Sequence, residues 1–267
     1  MSETIKIYPK LNIFLKILGH KDGFHQIHSR FVLAKGELYD EMNITHYSCF
    51  TLQGDFDCEE KDNLIYKAKC VLQDFLDIQG QKTAVKAIEC VKIEVQKSIP
   101  KGAGLGGGSG NAGAFLIGVN NFFGLGLSQK QLMAVGEKIG ADVAFFVSGE
   151  ESANVSGKGQ YIQSLNEKPL QYSIYTPPHI FCDTTKVYKC YADSIKAHKR
   201  SYSTPANEWF AKTSLELLSN HFSKSTLNDL YESACEIYPH LRDIAQELGE
   251  GWYFSGSGSS FFRQEQV

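Results

Sequence analysis

A glycine-rich segment at residues 99–111, with the sequence IPKGAGLGGGSGN, lies between a strand-like pattern and a helix-like pattern. Before it, Val91, Ile93 and Val95 alternate with polar residues, which predicts a strand. After it, apolar residues between Ala112 and Phe122 recur at helical spacing. A glycine loop that opens a helix offers backbone N–H groups and the positive end of the helix dipole to an anion. The segment therefore predicts a site for a polyphosphate.

Two common phosphate loops differ from this segment. A Walker A loop requires a lysine directly after a glycine, and no lysine follows any glycine of the segment. Gly102, Gly104 and Gly107 do satisfy the dinucleotide-binding pattern, but that pattern also requires a second strand carrying an acid about 20 residues further on. Here a helix-like run over residues 129–139 follows instead. An NAD(P)-dependent oxidoreductase is therefore disfavoured.

The composition is typical of a globular protein. The chain has 267 residues, of which 42% are hydrophobic, and this length suffices for one large domain or two lobes. A net charge of −3 indicates neither a nucleic-acid nor a membrane partner. The N-terminal sequence lacks a signal-peptide layout, so we expect a cytoplasmic protein. Its seven cysteines form no C-x-x-C pair, which predicts reduced thiols, and no metal-ligand spacing is present.

The pattern of predicted elements is α+β, because strands and helices mix without a regular βαβ alternation. A helix is predicted over residues 63–76, with Asp62 in the N-cap position. Near the C-terminus, the sequence Ser255-Gly-Ser-Gly-Ser259 predicts a tight turn between two short strands.

Three segments together resemble the GHMP kinases, the superfamily of galactokinase, homoserine kinase and mevalonate kinase. They are KLNIFL at residues 10–15, the glycine-rich segment, and FSGSGSSFF at residues 254–262, and they span almost the whole chain. The resemblance implies an α+β fold of two lobes with the active site in the cleft between them. We expect residues 1–159 to form the N-terminal nucleotide-binding lobe and residues 160–267 the C-terminal, substrate-side lobe.

Two further segments narrow this resemblance. DGFH at residues 22–25 and GADVAFF at residues 140–146 are similar to the branch of the superfamily that phosphorylates an alcohol joined to cytidine diphosphate. The resemblance implies an ATP-dependent kinase of isoprenoid biosynthesis, with ATP as co-substrate, Mg²⁺, and a small-molecule substrate. A homoserine or mevalonate type of kinase and a non-catalytic nucleotide-binding regulator remain alternatives. The oligomeric state is not predicted.

Asp142 is the predicted catalytic base. It is a single carboxylate in an apolar run, where a charge costs free energy unless it is paired. An aspartate after a glycine is more often a helix cap or turn residue, but the resemblance places the catalytic aspartate here. Lys10 is its predicted partner, since a nearby cation holds a carboxylate ionised. Ala144 stands where the family usually has proline.

The resemblance also implies which residues line the nucleotide. Ser109, at the predicted helix start, either caps the helix or faces Mg²⁺. Outside the loop, Asn63 and Lys97 match nucleotide-lining positions, although a helix-start residue and an exposed strand residue are equally good readings. The predicted ATP-binding residues are Asn63, Lys97, Pro100, Lys101, Gly102, Ala103, Gly104, Leu105, Gly106, Gly107, Gly108, Ser109 and Gly110.

Substrate recognition is predicted to combine aromatic stacking with polar contacts. Asn12 shares a strand face with Lys10 by the period of two. Phe24 and His25 match the cytidine-binding pair of the family, which often has tyrosine at the first position. Tyr188 is a candidate for the opposite stacking face or an ordinary core aromatic residue, and Thr184 is a candidate for a polar contact.

Overall fold

The computed structural model describes residues 2–220 and 222–265, and the chain divides into two compact units. The first unit comprises Met1–Pro9, Glu37–Ile99 and Gly106–Gly149. The second unit comprises Lys10–Gly36, Pro100–Leu105 and Glu150–Val267. Each unit is discontinuous in sequence, whereas the predicted lobes 1–159 and 160–267 are continuous. The assignment of a nucleotide-binding and a substrate-side lobe to those two stretches stays a prediction.

The described residues contain both strands and helices in mixed order, as expected for an α+β chain. The strands are β1 (Ser2–Ile7), β2 (Lys10–Lys21), β3 (Phe24–Leu33), β4 (Asp40–His46), β5 (Thr51–Gly54), β6 (Val91–Gln96), β7 (Ser152–Gly157), β8 (Tyr161–Ser164), β9 (Tyr172–Tyr175), β10 (Tyr253–Phe254) and β11 (Phe261–Gln264). The α-helices are α1 (Leu64–Ile78), α2 (Lys82–Ile88), α3 (Gly107–Phe122), α4 (Gln129–Gly136), α5 (Val143–Ser148), α6 (Thr184–Lys196), α7 (Ser214–Ser219), α8 (Lys224–Leu227), α9 (Tyr231–Ile237) and α10 (His240–Leu248).

In the first unit, a four-stranded sheet has the order β1-β4-β6-β5, with only β5 parallel to its neighbour. The predicted strand before the glycine-rich segment is confirmed as β6, where Val91, Ile93 and Val95 are buried and their neighbours are not. Helices α1 and α3 pack together, and α3 also packs on β1 and β4. Apolar residues from these elements form one continuous hydrophobic core.

Helix α1 begins one residue later than predicted, which moves its cap. Asn63 is the N-cap, and its side chain accepts a hydrogen bond from the backbone N–H of Ile65 at 2.9 Å. The prediction of a cap at Asp62 is wrong, because Asp62 ends a short 3-10 helix that precedes α1. A side-chain oxygen at the N-cap satisfies one of the N–H groups that have no partner within the helix.

The second unit contains two sheets and a helical layer. One sheet is fully antiparallel with the order β2-β3-β7-β8, and the other has the order β10-β11-β9. Helix α9 packs against α6 and α10, and their apolar residues share a core with β2, β10 and β11. Within the described residues, no helix combines the length and apolar character that crossing a bilayer would demand.

Candidate functional site

The glycine-rich segment forms a loop that leads into helix α3. The helix starts at Gly107, and Gly106 is its N-cap with a φ of +71°. Gly102 and Gly104 also have positive φ values, of +60° and +71°, which only glycine adopts without strain. Ser109 is the third helical residue, so the prediction that it caps the helix is wrong. The prediction that a glycine loop opens a helix is confirmed.

The first part of the loop is held by its carbonyl groups. Within the second unit, the carbonyl of Gly102 accepts hydrogen bonds from the N–H groups of Cys182 and Ser259 at 2.9 and 3.0 Å. The next three carbonyls each accept one more: Ala103 from Ser260 N–H, Gly104 from Ser255 Oγ and Leu105 from Lys10 N–H. Four consecutive loop carbonyls are therefore bonded to the protein. The predicted turn at residues 255–259 lies directly against this part of the loop.

Lys10 is a buried residue in this structure, with 4% of its surface exposed. Its ammonium donates a hydrogen bond to Oδ1 of Asn12 at 2.5 Å and lies 4.6 Å from the centre of the Phe31 ring. The side-chain amide of Asn12 donates to Ser29 Oγ at 2.8 Å. The prediction that Lys10 and Asn12 share one strand face is confirmed. A solvent-facing role for Lys10 is excluded by its burial.

The helical part of the segment packs tightly within the first unit. A Cβ atom added to Gly107 would lie 2.9 Å from Cγ2 of Ile99, and one added to Gly110 would lie 2.7 Å from Cγ2 of Ile7. These two glycines are therefore required by packing. Gly108 differs from them, because it is exposed and an added Cβ would only touch Cδ1 of Leu64 at an ordinary 3.5 Å.

Lys97 lies just after β6, beside the start of the loop. Its ammonium forms an ion pair with Asp40 and donates a hydrogen bond to Oδ1 of Asn111 at 2.8 Å. Asp40 belongs to no motif, and the sequence analysis missed it; Asn111 ends the glycine-rich segment but was given no role there. Asn63 is buried at the start of α1, where it serves as the helix cap. The capping reading of Asn63 is confirmed, while a nucleotide contact for either residue stays a prediction.

Asp142 directly precedes the short helix α5 and occupies its N-cap position with helical backbone angles, but its side chain makes no capping hydrogen bond. Its side chain is partly buried. Helix α5 packs against α3, since Phe146 lies beside Gly110 and Gly113. The short helix that starts here was not predicted. Because Lys10 belongs to the second unit and Asp142 to the first, their pairing stays a prediction.

An aromatic cluster surrounds His25 in the second unit. The ring centre of Tyr188 lies 5.0 Å from that of His25, at an interplanar angle of 31°. Nδ1 of His25 is buried and has no hydrogen-bond partner among the described residues. Burial, with a smaller electrostatic contribution from the neighbouring His20, lowers the pKa of His25 below its ordinary value. A neutral imidazole with an unused polar edge is thereby held beside Tyr188.

Two other predicted substrate residues have contrasting positions. Phe24 is 55% exposed, and the ammonium of Lys158 lies 5.0 Å from the centre of its ring. Thr184 is the first residue of helix α6, and its hydroxyl shares a 2.8 Å hydrogen bond with the hydroxyl of Ser257. Thr184 is therefore joined to the same serine-glycine turn that contacts the loop, whereas Phe24 offers a ring to solvent.

The described residues contain no group of three or more His, Cys, Asp or Glu side chains with the arrangement of a metal site. All seven cysteines are free thiols. Burial raises the pKa of the Cys182 thiol to about 12, so it is uncharged near neutral pH. Chemistry based on a thiolate is thus not favoured at Cys182.

Comparisons with known proteins agree with this architecture. Residues 63–150 match the family model of the GHMP kinases N terminal domain. A 4-diphosphocytidyl-2-C-methyl-D-erythritol kinase of Helicobacter pylori (strain HPAG1) is 42% identical over 98% of this chain and 94% of its own. The protein of that name from Helicobacter acinonychis (strain Sheeba) is 41% identical over 98% and 97%.

A solved structure gives the same result. The crystal structure of a 4-(cytidine 5'-diphospho)-2C-methyl-D-erythritol kinase superposes with a TM-score of 0.75 and 26% identity, covering 99% of this chain and 90% of that one. Identities above 40% over nearly the full length of both chains leave the family in no doubt. The chain belongs to the 4-diphosphocytidyl-2-C-methyl-D-erythritol kinases, within the GHMP kinases.

Proposed function

We propose that this protein transfers the γ-phosphoryl group of ATP to the 2-hydroxyl of 4-diphosphocytidyl-2-C-methyl-D-erythritol, a step of isoprenoid biosynthesis. The substrate is taken from the names of the relatives, which match over nearly the whole chain. The observation that carries the kinase chemistry is the glycine loop at the start of helix α3. The phosphate chain of a nucleoside triphosphate is an anion that such a loop and helix dipole accommodate.

The presence of glycine at residue 108 is an argument for a ligand at the start of helix α3. It has neither a positive φ nor a packing requirement, yet glycine stands at an exposed helical position, where it costs stability relative to alanine. A missing side chain there leaves room for a phosphate to approach the backbone. The carbonyls of residues 102–105 are bonded to protein, so the groups that the loop offers to phosphate are N–H donors. We assign residues 100–110 to the triphosphate, with Asn63 and Lys97 on the nucleoside side.

The transfer itself requires an oriented hydroxyl and an acceptor for its proton. The 2-hydroxyl oxygen forms a bond to the γ-phosphorus as the bond from that phosphorus to the β,γ-bridging oxygen breaks, and ADP leaves. The hydroxyl proton passes to the carboxylate of Asp142. Lys10 supports the ionised carboxylate electrostatically and Asn12, to which Lys10 is hydrogen-bonded, holds the hydroxyl. Each of these roles rests on the family resemblance together with the burial of Lys10 and Asn12.

The cytidine part of the substrate is assigned to the aromatic cluster. Phe24 and Tyr188 present π-faces for stacking on a nucleobase. Nδ1 of His25, buried and unpartnered among the described residues, can accept a hydrogen bond from the amino group of cytosine while the imidazole is neutral. Thr184 is assigned to the polar part of the substrate. Burial keeps His25 in the neutral form.

We further propose Mg²⁺ as the companion of ATP. Phosphate oxygens and water are its preferred ligands in such enzymes, and the described residues supply no cluster of acidic side chains for it. Ser109, half-buried near the start of α3, is the protein group that we assign beside the ion. Bound to the triphosphate, Mg²⁺ would neutralise developing charge. A cytoplasmic location accords with the nucleotide donor and with seven free thiols.

The substrate assignment is tested by a panel of alcohols. Purified protein with ATP and Mg²⁺ is given the cytidyl substrate, homoserine, mevalonate or galactose, and ADP release is followed. We expect release only with the cytidyl substrate. ADP release with homoserine or mevalonate instead would assign the protein a different GHMP kinase activity. Nucleotide binding without release in any sample would favour a non-catalytic regulator.

A further inference from the structure

The carboxylate of Asp40 contacts both segments that flank the glycine loop. Its Oδ1 accepts hydrogen bonds from the N–H groups of Ser98 and Ile99, each at 2.8 Å. Its Oδ2 accepts a hydrogen bond from the side-chain amide of Asn111 at 2.9 Å and forms an ion pair with Lys97. The loop begins at residue 100 and Asn111 lies in the second turn of helix α3, so a single side chain ties the two ends of the loop together.

This carboxylate is completely buried, with none of its surface exposed. A buried charge is costly unless it is paired and hydrogen-bonded, and here four donors surround the two oxygens. An apolar side chain in place of Asp40 would leave the N–H groups of Ser98 and Ile99 and the Lys97 ammonium without this acceptor. It also could not fix the distance between residues 98–99 and residue 111. Asp40 therefore both satisfies buried donors and sets the geometry of the loop ends.

We propose that Asp40 is a positioning residue for nucleotide binding, an inference that rests on the proposed function. It holds the strand side and the helix side of the loop at a fixed separation, so that the loop N–H groups keep the spacing that a triphosphate requires. Lys97 takes part in the same hydrogen-bonded group, because its ammonium contacts both Asp40 and Oδ1 of Asn111. Besides its assigned place on the nucleoside side, Lys97 then also acts on the nucleotide through the loop ends.

The substitution Asp40→Asn separates the two arms of this arrangement. The remaining carbonyl oxygen still accepts from Ser98 and Ile99, but the new amide group faces Asn111 Nδ2 and the Lys97 ammonium, which are both donors. The hydrogen bonds from Ser98 and Ile99, here called the strand arm, are kept. The hydrogen bond from Asn111, here called the helix arm, is lost together with the ion pair to Lys97. Because misplacement of binding groups by about 1 Å can cost 10²-fold in rate, we expect the KM for ATP to rise by at least about tenfold. The KM for the cytidyl substrate should stay within about twofold.

An exchange of the two side chains provides a rescue. In the double variant Asp40→Asn/Asn111→Asp, the carbonyl at residue 40 still accepts from the strand arm and its amide donates to the carboxylate at residue 111. Lys97 keeps a carboxylate partner, now on the helix. We expect the KM for ATP to return to within about threefold of wild type, which a general loss of stability would not produce.

A second ion-paired carboxylate, with 9% of its side chain exposed, provides the matched control. Asp229 in the second unit forms an ion pair with Lys16 and accepts hydrogen bonds from the N–H of Ile17 and the hydroxyl of Ser203. Asp229→Asn removes a comparable ion pair far along the chain from the loop, and the KM for ATP should change by less than about twofold. If Asp40→Asn does not fold, Asn111→Ala removes only the helix arm and should raise the same constant.

The experiment is a steady-state determination of both KM values for wild type and these variants, with a fluorescent ATP analogue titrated in parallel. A selective rise for ATP in Asp40→Asn, with rescue by the exchange, supports the positioning role. Wild-type turnover together with an unchanged KM for ATP in Asp40→Asn or Asn111→Ala overturns it and leaves the proposed function intact. A folded wild-type protein that transfers no phosphoryl group overturns the proposed function itself.

Discussion

Gly104 lies so close to Ser255 that a Cβ atom at residue 104 would stand 2.1 Å from the carbonyl oxygen of Ser255. The backbone of Gly104 is also left-handed, with a φ of +71°. The loop and the C-terminal serine-glycine turn can pack this closely only because residue 104 has no side chain. This contact ties the first part of the loop to a turn more than a hundred residues away in sequence.

Gly104→Ala should therefore destabilise the protein and abolish ordered nucleotide binding. Strain from the left-handed backbone costs about 1–2 kcal/mol, and the clash with backbone adds about 1–3 kcal/mol. The matched control is Gly124→Ala, because Gly124 has a φ of +60° and open space around its Cβ position. Urea unfolding should show a lower free energy of unfolding in both variants, because the left-handed backbone is strained in each. The decrease should be larger for Gly104→Ala. Equal losses in the two would contradict the packing argument.

Gly108→Ala should separate stability from binding. Alanine is the better helix former by up to about 1 kcal/mol, and its Cβ meets only an ordinary contact at residue 108. We expect the free energy of unfolding to hold or rise while the KM for ATP increases by about tenfold, because the methyl group occupies space assigned to phosphate. Thermal unfolding and steady-state kinetics on the same preparation make the comparison. An unchanged KM for ATP would remove Gly108 from the binding surface.

Asp142→Asn should lower kcat by about 10²- to 10⁴-fold, the usual contribution of a general base. The variant keeps the size of the side chain and makes no change to a capping bond, since the Asp142 side chain forms none. Binding of ATP should stay within about threefold of wild type by fluorescence titration. Asp77→Asn, at an exposed position near the end of α1, serves as the control and should leave kcat unchanged. Full activity in Asp142→Asn would mean that the proton acceptor lies elsewhere.

The neutral state of His25 should make the stability of the protein depend on pH. Burial, together with an electrostatic contribution from His20, lowers the pKa of His25 in the folded protein below the ordinary value. At a pH between the folded and the unfolded pKa of His25, the unfolded chain therefore binds more protons. The stability that His25 contributes is therefore complete above its unfolded pKa of about 6.5 and is lost as the pH falls below it. Unfolding in urea at about pH 7.5 and pH 5.5 should show this loss in wild type and a smaller one in His25→Gln. Equal losses would assign the pH dependence to other groups.

The same protonation should affect substrate binding. Once His25 carries a proton on both ring nitrogens, Nδ1 becomes a donor and no longer accepts a hydrogen bond. Affinity for cytidine is expected to be constant above about pH 6.5 and to weaken below it. Isothermal titration with cytidine, which carries no phosphate, keeps phosphate ionisation out of the measurement. Constant affinity down to pH 5 would place the cytosine edge away from His25.

The sequence predicted those parts of the structure that local patterns specify. Alternating burial identified β6, and the glycine segment followed by helical spacing identified the loop and α3. The period of two placed Lys10 and Asn12 on one face, and a hydrogen bond between them confirms it. In each case the signal lies within a few residues of the feature that it predicts.

Features that depend on distant residues escaped prediction. The partners of Asp40 at Lys97 and Asn111 are 57 and 71 residues away, and a single polar residue at the start of strand β4 carries no sign of such contacts. The glycines of the segment serve different purposes, which the sequence does not show. Gly107 and Gly110 are explained by packing against Ile99 and Ile7 and not by an anion. Only tertiary neighbours distinguish these glycines from Gly108.

Short helices were a second source of error. Helix α5 has six residues and begins after Asp142, which is too short for a periodic pattern to identify. Helix α6 has 13 residues and was missed as well, although its buried residues Val187, Tyr191 and Ser194 follow helical spacing. The prediction that Ser109 caps helix α3 failed because Gly106, with its left-handed backbone, is the N-cap three residues earlier.

The central claim is that the 2-hydroxyl of 4-diphosphocytidyl-2-C-methyl-D-erythritol receives the γ-phosphoryl group of ATP. Phosphorus NMR of the reaction tests it directly, because the carbon at position 2 bears a methyl group and no hydrogen. We predict that the γ-signal of ATP is replaced by a phosphomonoester signal without proton splitting. A monoester signal split by protons, which would place the phosphate on another hydroxyl, or the absence of any new monoester with folded protein would contradict the account.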